Sequence, residues 1–341
     1  MRCAGTVVRV NASGLYAVEI RLTKACNLRC AHCSVAGGEA ARDELGTSEI
    51  KHVLDQLAEL RVPYVTFTGG EPLLRRDAIK LIAYASSRGL RPNLDTNGML
   101  INPAKAKRLK EVGIDLVQVS IDGTEETHEK IRGQGSYAAA IRGAREVVRA
   151  GIPLHINFTL SKLNLSDLEA VVETASSLGA RSLSLERFIA IGRGGAIAEQ
   201  ALSSEEFREA LHRFFSLAEH TQVKLLTTDP LRVLIDRKLI ERYREEMSRR
   251  VCGGCTAGIA ALTISYDGEV YPCPKLPLSV GNVREQSIAE IWQGNETLAA
   301  LRAREFKGRC GECELVNLCG GCRGEAFARG DFLGEDTMCW K

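Results

Sequence analysis

Neither sign of charge is in surplus in this sequence: 45 Lys and Arg stand against 43 Asp and Glu, a formal net charge of +2. That balance gives no electrostatic reason to expect a nucleic acid or an acidic membrane surface as partner. Long apolar runs are missing as well, and none approaches the ~18 residues a spanning helix requires. The opening stretch MRCAGTVVRVNASG lacks the apolar segment of a secretory signal. There is no low-complexity tract and no long-range repeat. The expectation is a cytoplasmic globular protein of ordinary composition, and 341 residues predict about two domains.

Cysteine is what the chain has in excess. Of 12 cysteines, Cys26, Cys30 and Cys33 cluster near the front. Cys252, Cys255, Cys273, Cys310, Cys313, Cys319, Cys322 and Cys339 lie in the last quarter, and Cys3 is left over as an incidental terminal thiol. In a reducing cytosol clustered thiols bind metal more often than they form disulfides. A chain this long with an ordinary core has little need of disulfide staples, which are the alternative reading. Three thiolates cannot close a four-ligand site, and an open position is where a substrate or cofactor binds. The front set therefore reads as reactive, and the eight rear cysteines as two closed sets of four.

Between residues 16 and 187 short β-rich runs alternate with helical ones. Strands are expected at Ala17–Thr23, Tyr64–Thr68, Leu90–Thr96, Leu116–Ile121, Leu154–Leu160 and Ser182–Phe188. Helices are expected at Ser48–Leu60, Arg75–Arg88, Pro103–Val112, Ser136–Ala150 and Leu165–Leu178. Gly89, Gly113, Gly151 and Gly179 supply stop signals for four of these helices. Repeated β-then-α units predict an α/β fold with a parallel sheet, as a partial (β/α)6 TIM-like barrel or an ordinary doubly wound sheet. Ile191–Ala196 (IGRGGA) breaks the rhythm. Two helical stretches, Ser203–His220 and Pro230–Arg250, then bridge to the cysteine-rich tail. The expected division is 1–200 for the barrel, 201–250 for the bridge and 251–341 for the tail. The charged second bridge, from Arg237 to Arg250, reads as a solvated face.

Each polar motif of the first part follows an expected strand. The run Cys26-Asn27-Leu28-Arg29-Cys30-Ala31-His32-Cys33 follows the first, and Gly69-Gly70-Glu71-Pro72 the second. Thr96-Asn97-Gly98 follows the third, and Ser120-Ile121-Asp122-Gly123 the fourth. Carboxyl ends of parallel strands converge on one active face, so these distant motifs would meet.

CxxxCxxC after one strand and GGEP after the next resemble the radical S-adenosylmethionine (SAM) enzymes. The resemblance implies that Cys26, Cys30 and Cys33 hold a [4Fe–4S] cluster whose fourth iron chelates SAM. It assigns the methionine amino group to Gly69, Gly70 and Glu71, through an exposed strand edge and a carboxylate. His32 takes the usual aromatic position near the adenine. Ser120, Asp122 and Asn97 fall where the family places further SAM contacts, although capping and turns explain them almost as well. Asn157, Thr159, Arg187 and Arg193 are candidate polar lining.

The tail resembles the SPASM extension carried by a subset of these enzymes. That likeness implies one auxiliary [4Fe–4S] cluster on Cys252, Cys255, Cys273 and Cys322, and a second on Cys310, Cys313, Cys319 and Cys339. The x2 spacing closing the dense group and the close Cys252–Cys255 pair depart from the usual pattern. They leave partition and nuclearity open, since a [2Fe–2S] centre also needs four cysteines. Tetrahedral zinc suits paired CxxC spacing too.

The family chemistry is reductive cleavage of SAM to a 5′-deoxyadenosyl radical that abstracts hydrogen from a substrate. Closed auxiliary clusters favour oxidation or cross-linking, with a flavodoxin or ferredoxin-type protein as electron donor. The expected substrate is a peptide or peptide-derived cofactor precursor. The short stretch before the first strand predicts no fused leader-binding domain, so a peptide would need a separate carrier protein or direct recognition by the barrel. The alternative is a tetrapyrrole trimmed in haem biosynthesis, and a non-catalytic electron carrier is a third reading.

Overall fold

The computed structural model describes residues 2–3, 6–7, 14–246 and 254–341. Strands β1 (Ala17–Arg21), β2 (Tyr64–Thr68), β3 (Arg91–Thr96), β4 (Leu116–Ser120), β5 (Leu154–Leu160) and β6 (Ser182–Arg187) pair in sequence order, each parallel to the next. Helices α1 (Thr47–Glu59), α2 (Ala78–Ser87) and α3 (Pro103–Glu111) cross between the early strands. The pair α4 (Glu125–Arg132) and α5 (Ser136–Arg149) precedes β5, and α6 (Leu168–Ser177) precedes β6. The expected β/α rhythm is present, with boundaries displaced by a few residues.

Period-two patterning explains the sheet's two faces. Val18, Ile20, Val65, Phe67, Leu94, Val117, Val119, Ile156 and Phe158 are all within 1 % of complete burial. They join Ile50, Leu54, Leu57, Leu81 and Val147 of the helices in one core. Burying a side chain such as Phe67 contributes about 1.5–3 kcal/mol. The alternate residues are polar almost throughout: Glu19, Arg21, Thr68, Asp95, Gln118, Ser120, Asn157, Thr159 and Glu186 line one cavity. The lumen is thus a lined chamber rather than a packed core.

Both sheet edges are extended by the second half of the chain. Strand β7 (Lys224–Leu226) pairs parallel to β6. On the other edge β8 (Ala261–Ile264) pairs parallel to β1, followed by antiparallel β9 (Glu269–Tyr271) and β10 (Gly281–Asn282). The cysteine-rich tail therefore joins a 10-stranded sheet instead of standing apart. Between the edges, α7 (Ser204–Ser216) opens on a capping box, Ser203 with Glu206. The charged helix α8 (Arg237–Glu246) closes the bridge. Short helices α9 (Ile288–Gly294), α10 (Glu296–Ala303), α11 (Gly308–Glu312) and α12 (Arg323–Ala328) carry the rest of the tail.

Candidate active site

The loop after β1 holds the front cysteines over the mouth of the lumen. Its ends are tied by Cys26 N–H to Gly38 O at 2.8 Å and by Gly38 N–H to Lys24 O at 2.9 Å. Cys26, Cys30 and Cys33 all line the lumen cavity, whose volume is about 280 Å³. Burial pushes the Cys26 and Cys30 thiols above their usual range. Thiols held protonated by burial are poor nucleophiles, but a bound metal supplies the missing positive charge. Three thiols on the wall of one cavity suit a cluster with one vacant corner.

The IGRGGA segment straps this loop from behind. It forms a 3-10 turn over Gly192–Gln200. Arg193 N–H donates to Cys33 O at 2.9 Å, and its guanidinium donates to Cys30 O at 2.9 Å and Gly37 O at 2.6 Å. Gly192 has φ +59°, and a Cβ there would stand 2.3 Å from Ser34 O. Only glycine fits this approach.

Gly69 and Gly70 also line the cavity, with the Gly70 N–H donating to Thr23 O at 2.7 Å. A Cβ on either would meet backbone oxygen at 2.4 Å or less. Glu71 departs from the expectation of a carboxylate facing a ligand. It is fully buried and accepts from Thr96 Oγ1 at 2.8 Å, Asn97 N at 2.9 Å and Leu73 N at 3.1 Å. The two glycines turn the chain into the cavity wall, so the next side chain points beneath it. Burial still outweighs these bonds and raises the Glu71 carboxyl.

Asp122 is likewise withdrawn and fully buried. Its carboxylate accepts from Arg132 Nε at 2.5 Å and Thr159 N at 2.9 Å, with His32 Nε2 at 3.2 Å. Burial opposes its charge, but Arg132 and His32 outweigh it and hold the carboxyl far below the usual carboxylate range. Its own N–H donates to His128 Nδ1 at 3.1 Å, and burial lowers that imidazole to about 4. His32, Asn97, Ser120, Asn157, Thr159 and Arg187 do face the cavity. Arg132, missed in the sequence, faces it too, with Nη1 3.9 Å from Cys30 Sγ. The Arg on the last turn of α4 belongs to a polar octet without an apolar stripe, so no helix was expected there.

In the tail, Cys310, Cys313, Cys319 and Cys339 line a second cavity of about 370 Å³. Asp336 N–H donates to Cys310 Sγ at 3.3 Å, Gly321 N–H to Cys319 Sγ at 3.5 Å, and Arg323 Nη2 to Cys310 Sγ at 3.6 Å. Cys255 lies within electrostatic reach of both Cys273 and Cys322, while Cys252 falls outside the described residues. Burial pushes Cys273 and Cys319 up to about 12 and Cys322 further.

Comparison with known proteins bears on what this arrangement serves. The Radical SAM superfamily model matches residues 20–175, and that of the SPASM iron–sulfur cluster-binding domain matches residues 252–323. An AdoMet-dependent heme synthase of Methanosarcina barkeri is 36% identical, over 98% of this chain and 98% of its own. This chain belongs to the radical SAM superfamily. A PqqA peptide cyclase of Granulibacter bethesdensis is 31% identical to this radical SAM/SPASM protein, covering 93% of it and 85% of the cyclase. SuiB of Streptococcus suis, solved with S-adenosylmethionine, superposes with a TM-score of 0.77 at 18% identity, covering 96% of this chain and 77% of that one. The expected fold, a barrel with a cysteine-rich SPASM tail, is the one observed. The protein is a radical SAM enzyme, with a [4Fe–4S] cluster and SAM in its first domain and auxiliary iron–sulfur clusters in its tail. No described helix is long and apolar enough to cross a membrane.

Proposed function

We propose that this radical SAM enzyme oxidatively trims carboxylate side chains of a tetrapyrrole. The carrying observation is full-length kinship: relatives named AdoMet-dependent heme synthase are 33–36% identical over at least 93% of the chain. A relative named Fe-coproporphyrin III synthase follows at 32% over 94% of it. Cys26, Cys30 and Cys33 would hold the SAM-binding cluster. The eight tail cysteines, Cys252 included, would hold two auxiliary clusters in the partition given above. When bound, the front cluster and SAM supply a carbon radical that abstracts hydrogen from the substrate.

The chain's own residues bind, orient and exclude water. Gly69 and Gly70 offer backbone polar groups to an amino acid moiety, and Arg132, held by Asp122, stands beside Cys30 at the same mouth. His32 and Ser120 border the space left for a nucleoside. Converting a propionate to a vinyl releases carbon dioxide and one electron besides the abstracted hydrogen. Tail clusters beside the lumen suit the departure of that electron. A flavodoxin or ferredoxin-type donor would reduce the front cluster, and reduced thiols favour a cytoplasmic setting.

The second reading, peptide modification, is favoured by the PqqA peptide cyclase and by a mycofactocin maturase of Mycobacterium ulcerans, each 31% identical over 93% of this chain. A separate carrier protein would then present the peptide. The test is anaerobic turnover of reconstituted, reduced enzyme with SAM and Fe-coproporphyrin III, followed by mass spectrometry. Products lighter by a formic acid equivalent per side chain are expected. Formation of 5′-deoxyadenosine with the porphyrin unchanged would reject the tetrapyrrole and leave the peptide.

A further inference from the structure

Arg21, the last residue of β1, is 6 % exposed yet incompletely used. Its Nη2 donates to Pro274 O at 3.0 Å, while Nε is buried without a hydrogen-bond partner among the described residues. The nearest carboxylate, Glu19, stands 3.4 Å from that Nε as an ion pair only. The other guanidiniums of this cavity are committed: Arg187 to Asp229 and Asp336, Arg132 to Asp122. An unmet buried donor carries a free-energy cost that a ligand can relieve.

Asp95 faces the same cavity. Sheet register puts the two in one layer. Arg21 lies opposite Thr68 across β1 and β2, and Leu94 lies opposite Phe67 across β2 and β3. Asp95, one residue on, therefore falls beside Thr68. Two strand spacings, about 10 Å in all, separate Arg21 from Asp95, room for a long guanidinium arm, one carboxylate and a short acid. Burial and the neighbouring Glu19 push the Asp95 carboxyl well above its ordinary range, and burial raises Glu19 too. That direction favours the protonated form, in which Asp95 donates to a ligand oxygen.

We propose that Arg21 and Asp95 form a carboxylate subsite in the lumen that receives one acid side chain of the substrate. Arg21 supplies a charge-assisted bond to one oxygen and Asp95 a neutral donor to the other. A cavity of about 280 Å³ admits such an arm and keeps the macrocycle at the mouth, beneath the front cysteines. The subsite rests on the tetrapyrrole reading and gives that reading its anchor.

The test measures binding of coproporphyrin III and of its tetramethyl ester to the reconstituted enzyme by porphyrin absorbance. Arg21→Met should weaken the acid by at least about tenfold and leave the ester's affinity as in the parent, and Arg21→Lys should lose less. Asp95→Asn keeps a donor and should hold affinity within about twofold, whereas Asp95→Val should lose it. Equal loss for acid and ester would mean a merely structural Arg21 and overturn the subsite. So would unchanged binding of the acid by Arg21→Met, or markedly tighter binding by Asp95→Asn. Failure of the parent enzyme to bind coproporphyrin III at all would instead sink the tetrapyrrole reading itself.

Discussion

His155 sits on the lumen side of β5 with both ring nitrogens engaged, Nδ1 with Ser182 Oγ at 2.7 Å and Nε2 with Ser184 Oγ at 3.0 Å. Serine hydroxyls can both donate and accept, so the pair accommodates a neutral imidazole in which one nitrogen donates and the other accepts. Burial lowers this histidine to about 4, as it does His128. The unfolded chain binds a proton near pH 6.5 that the folded chain refuses, so stability falls as pH drops from about 6.5 towards 4. Each histidine contributes at most about 1.4 kcal/mol per pH unit across that window. Urea denaturation at pH 7 and pH 5 should show this loss, and His155→Gln should reduce it by about half. An unchanged pH dependence in that variant would contradict the assignment. At this scale the sequence displayed its cysteines plainly, because ligand spacing is written in the chain. Arg132 and Asp95 were obscure, and Arg193, read as cavity lining, instead clamps the cysteine loop: charged residues are common, and only tertiary placement separates a clamp from a solvated side chain.

Among the elements, the 3-10 segment over Gly192–Gln200 has the clearest job, since Arg193 holds the backbone of the cysteine loop and Gly192 permits the close approach. Gly192→Ala would press a methyl group onto Ser34 O and push the loop away. The reconstituted variant is expected to lose about one third of its iron, the share of one among three four-iron clusters. Iron analysis together with the SAM-perturbed electron paramagnetic resonance signal would check this, and full iron with a normal signal would refute it. The barrel strands were legible because alternation of apolar and polar residues survives in β1 to β6. Helix α4 was not, since Glu125–Arg132 buries only His128 and Ile131. Strand β8 was also missed: four residues, ALTI, carry too short a pattern, and their partner β1 lies far away in sequence.

On the scale of the whole molecule, three distant segments meet at Arg187. Its Nε donates to Asp229 at 2.7 Å, and Nη1 and Nη2 donate to the two oxygens of Asp336 at 3.0 Å each. Asp336 in turn accepts from Cys322 N at 2.8 Å and offers its own N–H to Cys310 Sγ. The barrel, the bridge and both tail cysteine sets therefore share one buried ion-pair network. Arg187→Met would leave two buried carboxylates without their partner, a loss of about 3–5 kcal/mol. Thermal melts of the iron-free protein should show it, and the bound auxiliary iron should fall in parallel. A melt within a degree of the parent would contradict the network's importance. Cysteine spacing announced that a tail domain exists, but no local signal said that Arg187 fastens it to the barrel.

The parallel pairing of β8 with β1 also governs when the enzyme can mature. The first barrel strand emerges early from the ribosome, yet one of its hydrogen-bonding edges waits for residues 261–264. Synthesis at roughly 5–20 residues per second leaves that edge bare for on the order of ten seconds or more. Iron delivered before residues 261–264 emerge would meet a barrel whose first strand still has a bare edge.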